Sequence, residues 1–568
     1  GHGEACVWSD NARPAGIRCC VVEHLSKPHP HILEATVRRI LSLLTTTALA
    51  AGLVAFAPAV EAERAAPAIG ETDLFNLAHV FNHDFKQNNG RVSDTQQGTD
   101  LEFFSSDVIV RDAEGVVVGA DGVAGNDDDQ LFALRDFAVV GDHSDGAGIF
   151  DITDPEATYL ASYQPCNNPR NDVGVHQLTD ADGNVTKTLF GLSREGGAPC
   201  QEALSVTQTR GGDTGSGGGI SLFDITDPYL PAPVGAIIVG TGGAHNFAFH
   251  PTNDLIYVWN GELPGGTSTI QIVDLRTWVT SGDFADIKPM KGPATLGSVH
   301  DGEFSPDGSL MYVASENNYE IFDNTIPEAP VRLGSYLPNP GTYAHGYFPT
   351  PDGSISITNN ESLALGGFFA PNSAVCPGEG LGFYDSTDPA NVIGPVGMFI
   401  PPVQGSVLPT DGKLDPRACT SHFGRVAPNG QVMTVAWYIL GSRVVDFSNP
   451  LLPVEVAAAT FSRGDDELDE GRGSEAWATK SYKGPYLYVG DQERGFDVFR
   501  WAGPEACEVS PWEDGWELAC LDGDERLPVD PASTTQGLSA AARRGIDPSA
   551  LLGLDPATAQ RGRYACRL

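Results

Sequence analysis

Residues 148–155 read GIFDITDP, and residues 221–228 read SLFDITDP. In both stretches an apolar strand pattern runs into an Asp and stops at an Asp-Pro step. Proline fixes its own φ and has no N–H to donate to a sheet, while the preceding Asp can bond its own backbone, so each strand must end there. An apolar or aromatic residue followed by Asp occurs seven times, at Phe150-Asp151, Phe223-Asp224, Val273-Asp274, Phe322-Asp323, Tyr384-Asp385, Val445-Asp446 and Phe496-Asp497.

A second element alternates with the first. Four prolines each stand six positions after a histidine, and three of them precede an Asp-Gly or Asn-Gly pair, which is the strongest short signal for a β-hairpin. An apolar strand follows each of these turns. The four pairs are His245 with Pro251, His300 with Pro306, His345 with Pro351, and His422 with Pro428.

Each unit therefore predicts four antiparallel strands, and seven units predict an all-β, seven-bladed β-propeller of four-stranded blades. The 66 glycines and 41 prolines fit this turn-rich architecture. We expect the propeller to span residues 100–501, with insertions at 194–219, 361–380 and 401–420, and a C-terminal cap and tail at 502–568.

The repeated strings resemble those of the LVIVD-repeat family of exported prokaryotic propeller proteins. The resemblance covers most of residues 100–501 and rests on strings such as GIFDITDP at 148–155. It implies the propeller fold and export, but no particular activity, since one fold serves many functions.

The N-terminus reads as a leader. Arg38 and Arg39 precede an uncharged run over residues 40–60, which ends in small residues suited to signal peptidase. We therefore assign residues 1–62 to upstream sequence plus a signal peptide, and 63–99 to an N-terminal extension. A membrane anchor is the alternative for this run, but we expect a secreted, periplasmic or cell-surface protein without a span in the mature chain.

The charge excludes one class of partner. Asp and Glu number 74 against 34 Lys and Arg, giving a formal charge of −40. Binding to nucleic acid or to anionic membranes needs a basic surface, so neither partner is expected. The partner can be a small molecule, a polymer or an extracellular protein, and we expect a monomer.

Histidines at a shared register are the candidate site. In a propeller the first strand of each blade lines the central channel, so residues at one register on these strands should form a ring. Imidazole is the commonest side-chain ligand for transition metals. The candidate metal ligands are His245, His300, His345 and His422, then His176 after a one-residue shift, and Glu475, with Glu102 or Asp100 near the same register.

This ring leaves two interpretations open. It can hold copper, zinc or iron, or it can line a water-filled channel as purely structural polar groups. His79 and His83 have the spacing of one helical face, but packing of their segment on the ring is the simpler expectation.

Cysteines and acidic loops add further predictions. Export favours disulfides, and we expect Cys166–Cys200, Cys376–Cys419 and Cys507–Cys520, although the odd Cys566 leaves the pairing open. Calcium is a minor alternative for the acidic loops at 127–129, 180–184 and 465–467, which are better read as turns or solvated loops.

Two functions compete. One is a binding module that holds a ligand or partner, with the histidine ring at the channel mouth and the insertion loops available for contact. The other is a transition-metal-dependent oxidoreductase or hydrolase that uses the same ring. The sequence contains neither the GxSxG nor the HExxH motif of familiar hydrolases.

Overall fold

In a computed structural model of the protein, repeated turns divide the described chain into seven sheets, each built on four antiparallel strands as the sequence predicts. The structure describes residues 72–85, 98–119, 121–126, 131–143, 145–166, 172–194, 199–206, 208–210, 218–239, 243–259, 269–315, 318–337, 343–361, 380–401, 420–462, 473–503 and 509–514. The leader, the acidic loops at 127–129 and 465–467, and nearly all of the C-terminal tail lie outside these residues.

The blades follow one another along the chain. Strand β1 (Leu77–His83) comes first. The first three blades, each written from its inner edge outward, are β2 (Gly98–Ile109), β3 (Phe132–Asp142), β4 (Gly146–Asp151), β5 (Tyr159–Pro165); β6 (Val173–Thr179), β7 (Val185–Ser193), β9 (Gly219–Asp224), β10 (Ala232–Ile238), with the edge strand β8 (Gln208–Arg210); and β11 (Phe247–Phe249), β12 (Leu255–Val258), β13 (Thr269–Asp274), β14 (Lys288–Ala294).

The remaining blades keep the same order. They are β15 (Asp301–Phe304), β16 (Leu310–Ser315), β17 (Asn318–Asp323), β18 (Val331–Tyr336); β19 (Ala344–Pro349), β20 (Ile355–Asn360), β21 (Leu381–Asp385), β22 (Ile393–Phe399); β23 (Gly424–Val426), β24 (Val432–Ala436), β25 (Ser442–Asp446), β26 (Val454–Ala459); and β27 (Ala476–Ser481), β28 (Tyr486–Asp491), β29 (Gly495–Trp501). Among the described residues the helical elements are short: α1 (Gln201–Val206), α2 (Arg276–Ser281) and two 3₁₀ turns, Pro155–Ala157 and Phe284–Asp286.

The repeated Asp residues close the turns. At the end of β9, the side chain of Asp224 accepts a hydrogen bond from the N–H of Thr226 at 3.0 Å, so the carboxylate caps the turn that ends the strand. In the hairpin between β15 and β16, Asp307 accepts the N–H of Ser309 at 3.0 Å, and Gly308 has a φ of 73°, which favours glycine. These residues are therefore architectural.

Strand β1 closes the ring from the N-terminal side. It pairs antiparallel with β29 and becomes the outermost strand of the last blade. The segment is extended, so His79 and His83 lie on a strand and not on a helix; His79 Nε2 is 2.7 Å from Asp497 Oδ1 of β29. The sheet of the seventh blade thus joins residues more than 400 positions apart, which protects an edge that would otherwise be open.

The insertion in the second blade adds structure at the blade edge. Strand β8 pairs in parallel with β10, so this blade has five strands. The predicted disulfide between Cys166 and Cys200 is confirmed, and it ties the end of β5 to the start of α1. The predicted pairs Cys376–Cys419 and Cys507–Cys520 lie outside the described residues.

The apolar core lies between blades. The inward faces of β3 and β4 in the first blade pack Phe137 and Ile149 against Phe190 and Phe223 of the second blade, and all four side chains are fully buried. Such interfaces repeat around the ring, and each large side chain removed from water contributes roughly 1.5–3 kcal/mol. No helix among the described residues is long and apolar enough to cross a membrane.

Candidate metal centre and central cavity

Four of the predicted ring histidines meet at one end of the inner strands. His345 lies at the start of β19, and His245, His300 and His422 lie just before β11, β15 and β23. All four side chains are buried, with exposures of 0–9%. We call these four residues the histidine cluster.

The rings of the cluster form a continuous chain across four consecutive blades. Ring centroids are 4.6 Å apart between His245 and His300, 4.1 Å between His300 and His345, and 4.2 Å between His345 and His422. The Nε2 atoms of His245 and His300 are 2.9 Å apart, which is a hydrogen bond with the proton on one of the two rings.

Backbone carbonyls of neighbouring blades orient two of the rings. Nδ1 of His300 lies 3.2 Å from the carbonyl oxygen of His345, and Nδ1 of His422 lies 2.7 Å from that of Trp477. Donation from Nδ1 to a carbonyl leaves the lone pair on Nε2, which is the tautomer that binds a metal through Nε2.

A carboxylate joins the cluster from a second strand. Glu361 follows β20, and its Oε2 is 3.7 Å from Nε2 of His345. Its Oε1 accepts a hydrogen bond from the hydroxyl of Tyr438 at 2.7 Å. Tyr438 has a φ of 41°, an uncommon conformation for a residue with a side chain, and its carbonyl accepts the Ala476 N–H at 3.0 Å. The backbone is therefore held in an unfavourable conformation at the point where it positions Glu361.

His345 packs against two other rings of the cluster but has the fewest hydrogen bonds of the four. It is fully buried, and neither of its ring nitrogens makes a hydrogen bond within the described residues. Burial, followed by the neighbouring His422 and His245, holds the pKa of His345 well below its ordinary value. The nearby Asn359 amide opposes this shift, but it already bonds the Gly346 N–H and the His422 carbonyl. His345 is thus a neutral imidazole with unused lone-pair and donor capacity, at a cost of about 1–3 kcal/mol.

The donor atoms converge closely enough for one ion. One ligand atom each from His300, His345 and Glu361 lie within 4.8 Å of one another. Ligands of a tetrahedral ion at ~2.1 Å are ~3.4 Å apart, so the three atoms would approach one another by up to about 1.4 Å when an ion binds. Two imidazoles and one carboxylate suit zinc, copper or iron.

His176 lies elsewhere on the blade surface. Its Nε2 is 2.9 Å from Asp254 Oδ1 in the hairpin of the third blade, and its ring stacks on Phe249 at 5.1 Å. His176 pairs with Leu189 in the middle of β6 and contacts the hairpin of the third blade, so it lies toward the hairpin end of its strand and not at the end that holds the cluster.

In the seventh blade a tryptophan contacts the cluster. Trp477 stacks on His422 with centroids 4.1 Å apart. Glu475, two residues earlier, has its backbone N–H bonded to both oxygens of Asp491, at 3.0 and 2.9 Å. The seventh blade therefore does contribute a residue to the cluster from this part of the chain, but that residue is Trp477 and not the predicted Glu475.

Asp100 and Glu102 line a cavity beyond the cluster. The cavity has a volume of about 350 Å³ and is bounded by the inner strands of all seven blades, which identifies it as the central channel. It extends to the hairpin prolines Pro251, Pro306 and Pro351, at the opposite end of the inner strands from the histidines. Phe423 lies between the two, since it lines the cavity and contacts the rings of His345 and His422 at 4.9 and 4.4 Å.

Two cations compensate one wall of the cavity. Arg425 donates to both oxygens of Glu102, at 2.9 and 2.6 Å, and Lys480 lies 2.8 Å from Asp100 and 2.7 Å from Glu102. We call these four residues the ion network. Burial alone would raise the pKa of Glu102, but Arg425 and Lys480 outweigh it and lower the pKa to about 2.

The other wall carries carboxyl groups without such partners. Burial raises the pKa of Glu303 to about 7, although Lys480 and Arg425 oppose the shift. Burial, reinforced by Glu303, raises the pKa of Asp301, and burial together with Asp100 raises that of Asp172. Asp172 accepts the Phe247 N–H at 2.8 Å.

In the acidic turn at 180–184, the carboxylate of Asp180 bonds to the backbone of the same turn. Asp180 Oδ1 accepts the backbone N–H groups of Asp182 and Asn184, both at 2.9 Å, and the segment is exposed. Its geometry is that of a capped hairpin turn.

Sequence reasoning missed Glu361, Tyr438 and Trp477. Glu361 ends the buried polar run at 358–360, an unusual pattern for a strand end, and this is the signal that could have marked it. Nothing local marks Tyr438 or Trp477, because their contacts depend on how blades pack.

Comparison with known proteins does not assign the chain to a family, because no protein-family model and no curated protein matches it. The resemblance to the LVIVD-repeat family therefore stays a prediction.

Proposed function

We propose that this protein is an exported β-propeller that binds one transition-metal ion, copper, zinc or iron, through His300, His345 and Glu361. The observation that carries the proposal is His345, a fully buried neutral imidazole whose ring nitrogens make no hydrogen bond to any residue that the structure describes, 3.7 Å from a buried carboxylate. A divalent ion would use the lone pair of His345 and balance the charge of Glu361. The backbone carbonyl of His345, bonded to Nδ1 of His300, and the Tyr438 hydroxyl, bonded to Glu361, would then orient the ligands, and the metal at Nε2 of His300 would replace its hydrogen bond to His245.

Burial favours a binding role over catalysis. A catalytic metal needs a coordination position that substrate can reach. The four histidines expose at most 9% of their surface, and Phe423 separates them from the central cavity. A tightly held ion at this place would stabilise the junction of four blades or support a binding surface above them.

The position of the insertions supports a binding surface at the same end. In an antiparallel blade the second and fourth strands end where the first strand begins. The predicted insertions at 361–380 and 401–420 follow β20 and β22, so they leave the blades at the end that holds the histidine cluster. We assign these insertions, together with 194–219, to contact with a small molecule, polymer or extracellular protein.

Export and family membership belong to the same proposal. The Cys166–Cys200 disulfide is typical of an oxidising compartment, which agrees with the leader pattern at 1–62. The LVIVD resemblance points to the same compartment.

The test is metal content of the folded protein. Protein purified without chelator should contain close to one transition-metal ion per chain by elemental analysis, and chelator-treated protein should take up one Zn²⁺ or Co²⁺ in a calorimetric titration. His345→Gln and Glu361→Gln should each lose this uptake.

His250→Gln is the matched control. His250 is also buried, at 1% exposure, but it caps the hairpin at the other end of the third blade, where its Nδ1 accepts the Thr252 N–H at 3.2 Å. This variant should bind metal normally. Folded wild-type protein without metal affinity, or unchanged uptake by His345→Gln, would refute the proposal.

A further inference from the structure

The central cavity contains two carboxyl groups that the fold does not use. Asp301 and Glu303 lie on β15 and line the cavity, and neither carboxyl group makes a hydrogen bond or ion pair with another described side chain. Asp301 is 9% exposed. A buried carboxylate without a partner is costly, so its retention in a cavity calls for an occupant that offers positive charge or hydrogen-bond donors.

The spacing of these groups argues against a chelated metal ion. Residues two apart on a strand lie roughly 6.5–7 Å from each other along the chain. Among the described residues, the only group whose ligand atoms converge within 4.8 Å is that of His300, His345 and Glu361. The cavity volume of about 350 Å³ also fits a small organic molecule far better than a single ion.

The walls are suited to an organic cation. Five carboxyl groups line the cavity beside only two cations, and those cations are already paired with Asp100 and Glu102, so a bound cation would favour the ionised form of the other three carboxyl groups. Phenylalanine rings complete the walls, including Phe249, Phe304 and Phe348. Ring faces attract cations and cover an aliphatic chain.

The protein already holds one ammonium group in this cavity. Lys480 places its Nζ between Asp100 and Glu102, at 2.8 and 2.7 Å, with only 7% of its side chain exposed. Asp301 and Glu303 present a second pair of carboxyl groups in the same cavity, but among the described residues Lys480 forms its ion pairs with Asp100 and Glu102 and not with them. Since an ammonium group pairs with Asp100 and Glu102, an ammonium group is also the natural partner for Asp301 and Glu303.

We propose that the central cavity binds a small aliphatic primary amine, whose ammonium group is held by Asp301 and Glu303 and whose carbon chain packs on the phenylalanine walls. The hairpin prolines at the cavity end opposite the histidine cluster mark the side from which the ligand enters. This site shares no ligand residue with the proposed metal centre.

The test is calorimetric titration of the full chain with 1,4-diaminobutane, with 1,4-butanediol as the neutral isostere. The diamine should bind at one molecule per chain, and the diol should not bind. Glu303→Gln and Asp301→Asn should each weaken diamine binding by about tenfold or more, since each removes a charged hydrogen-bond acceptor.

Glu114→Gln is the matched control, because Glu114 is an exposed carboxylate in a loop of the first blade. It should bind the diamine like the wild type. Near-UV circular dichroism establishes that each variant is folded, and Asp301→Asn provides an independent variant if Glu303→Gln is not.

Three results would overturn the proposal: no diamine binding, equal affinity of the diol, or full affinity in both folded cavity variants. Displacement of the diamine by stoichiometric Ca²⁺ would also overturn it in favour of an inorganic ion. His345→Gln should keep diamine binding, so failure of the metal proposal and failure of this one are distinguishable.

Discussion

The two ends of the central channel treat polar side chains in opposite ways, although the same strands build both. His300, directly before β15, belongs to the buried cluster, whereas Asp301 and Glu303 on β15 face the cavity. At the histidine end, burial keeps His345 neutral. At the cavity end, charges remain because cations from the sixth and seventh blades compensate them. Position along the inner strand, more than membership of a repeat, decides the chemistry of a residue.

The largest expected effect comes from breaking the ion network at the cavity end. Lys480→Met should lower the free energy of unfolding by about 3–5 kcal/mol, because it leaves Asp100 and Glu102 buried with one cation fewer. The measurement is denaturant unfolding followed by tryptophan fluorescence.

Lys483→Met is the control for this change. Lys483 lies three positions after Lys480 and pairs with Asp136. Because 53% of the Lys483 side chain is exposed, its loss should cost at most about 1 kcal/mol. Equal destabilisation by the two substitutions would mean that the cavity charges are solvated and that the contrast between the two ends is wrong.

The next effect concerns the histidine end. Tyr438→Phe removes the hydroxyl that donates to Glu361 at 2.7 Å, and it should cost about 1–3 kcal/mol of stability. It should also weaken metal binding about 10–100-fold, because the group that orients a ligand is lost while all ligands remain.

Tyr257→Phe separates these two consequences. Tyr257 is fully buried and its hydroxyl donates to Asn324 at 3.0 Å and to the Pro327 carbonyl at 2.8 Å, away from the cluster. It should show a similar loss of stability and unchanged affinity for Zn²⁺. If both variants bind Zn²⁺ like the wild type, Tyr438 has only a structural role.

A pH effect distinguishes the cavity end. The pKa of Glu303 is about 7 in the folded protein and about 4.5 in the unfolded chain, so the folded state binds more protons between these values. The contribution of Glu303 to the free energy of unfolding should therefore be fully present below pH ~4.5. It should be lost as the pH rises through 7, which lowers the free energy of unfolding by on the order of 1–3 kcal/mol.

Glu303→Gln should flatten this part of the profile of unfolding free energy against pH. Glu114→Gln should leave the profile parallel to that of the wild type. A wild-type profile that does not fall between pH 4.5 and 7 relative to Glu303→Gln would show that Glu303 is hydrated and ionised throughout.

The fold could be predicted because its signals are local. The Asp-Pro steps and the Asp-Gly hairpins act within a few residues, and Asp224 and Asp307 make the turn contacts that their sequence patterns predict. The seven copies then fix the number of blades. Closure by β1 could not be read in this way, because pairing of Leu77 with Trp501 depends on the ring being formed.

The candidate site could be predicted only in part. Equal register gathers four histidines because the inner strands begin at one end of the channel. Glu361 reaches the same place from the second strand of its blade, and the cavity carboxyl groups come from different residue types on different blades, so no repeat marks them. Contacts between blades depend on packing angles that a local pattern does not encode.

The smallest expected effect tests the register itself. His176→Gln should leave metal uptake unchanged and cost at most about 1 kcal/mol, because glutamine can still donate to Asp254 while the stacking on Phe249 is weakened. The length of the hairpin formed by β6 and β7 is the reason: His176 pairs with Leu189 in the middle of β6, so counting back from the Asp-Gly turn does not reach the strand end that holds the cluster. His345→Gln, measured beside it by the same Zn²⁺ titration, should lose uptake. Loss of Zn²⁺ uptake in both variants would mean that the metal centre extends to His176 in the second blade. The contrast between the buried histidine end and the charged cavity end would then be wrong.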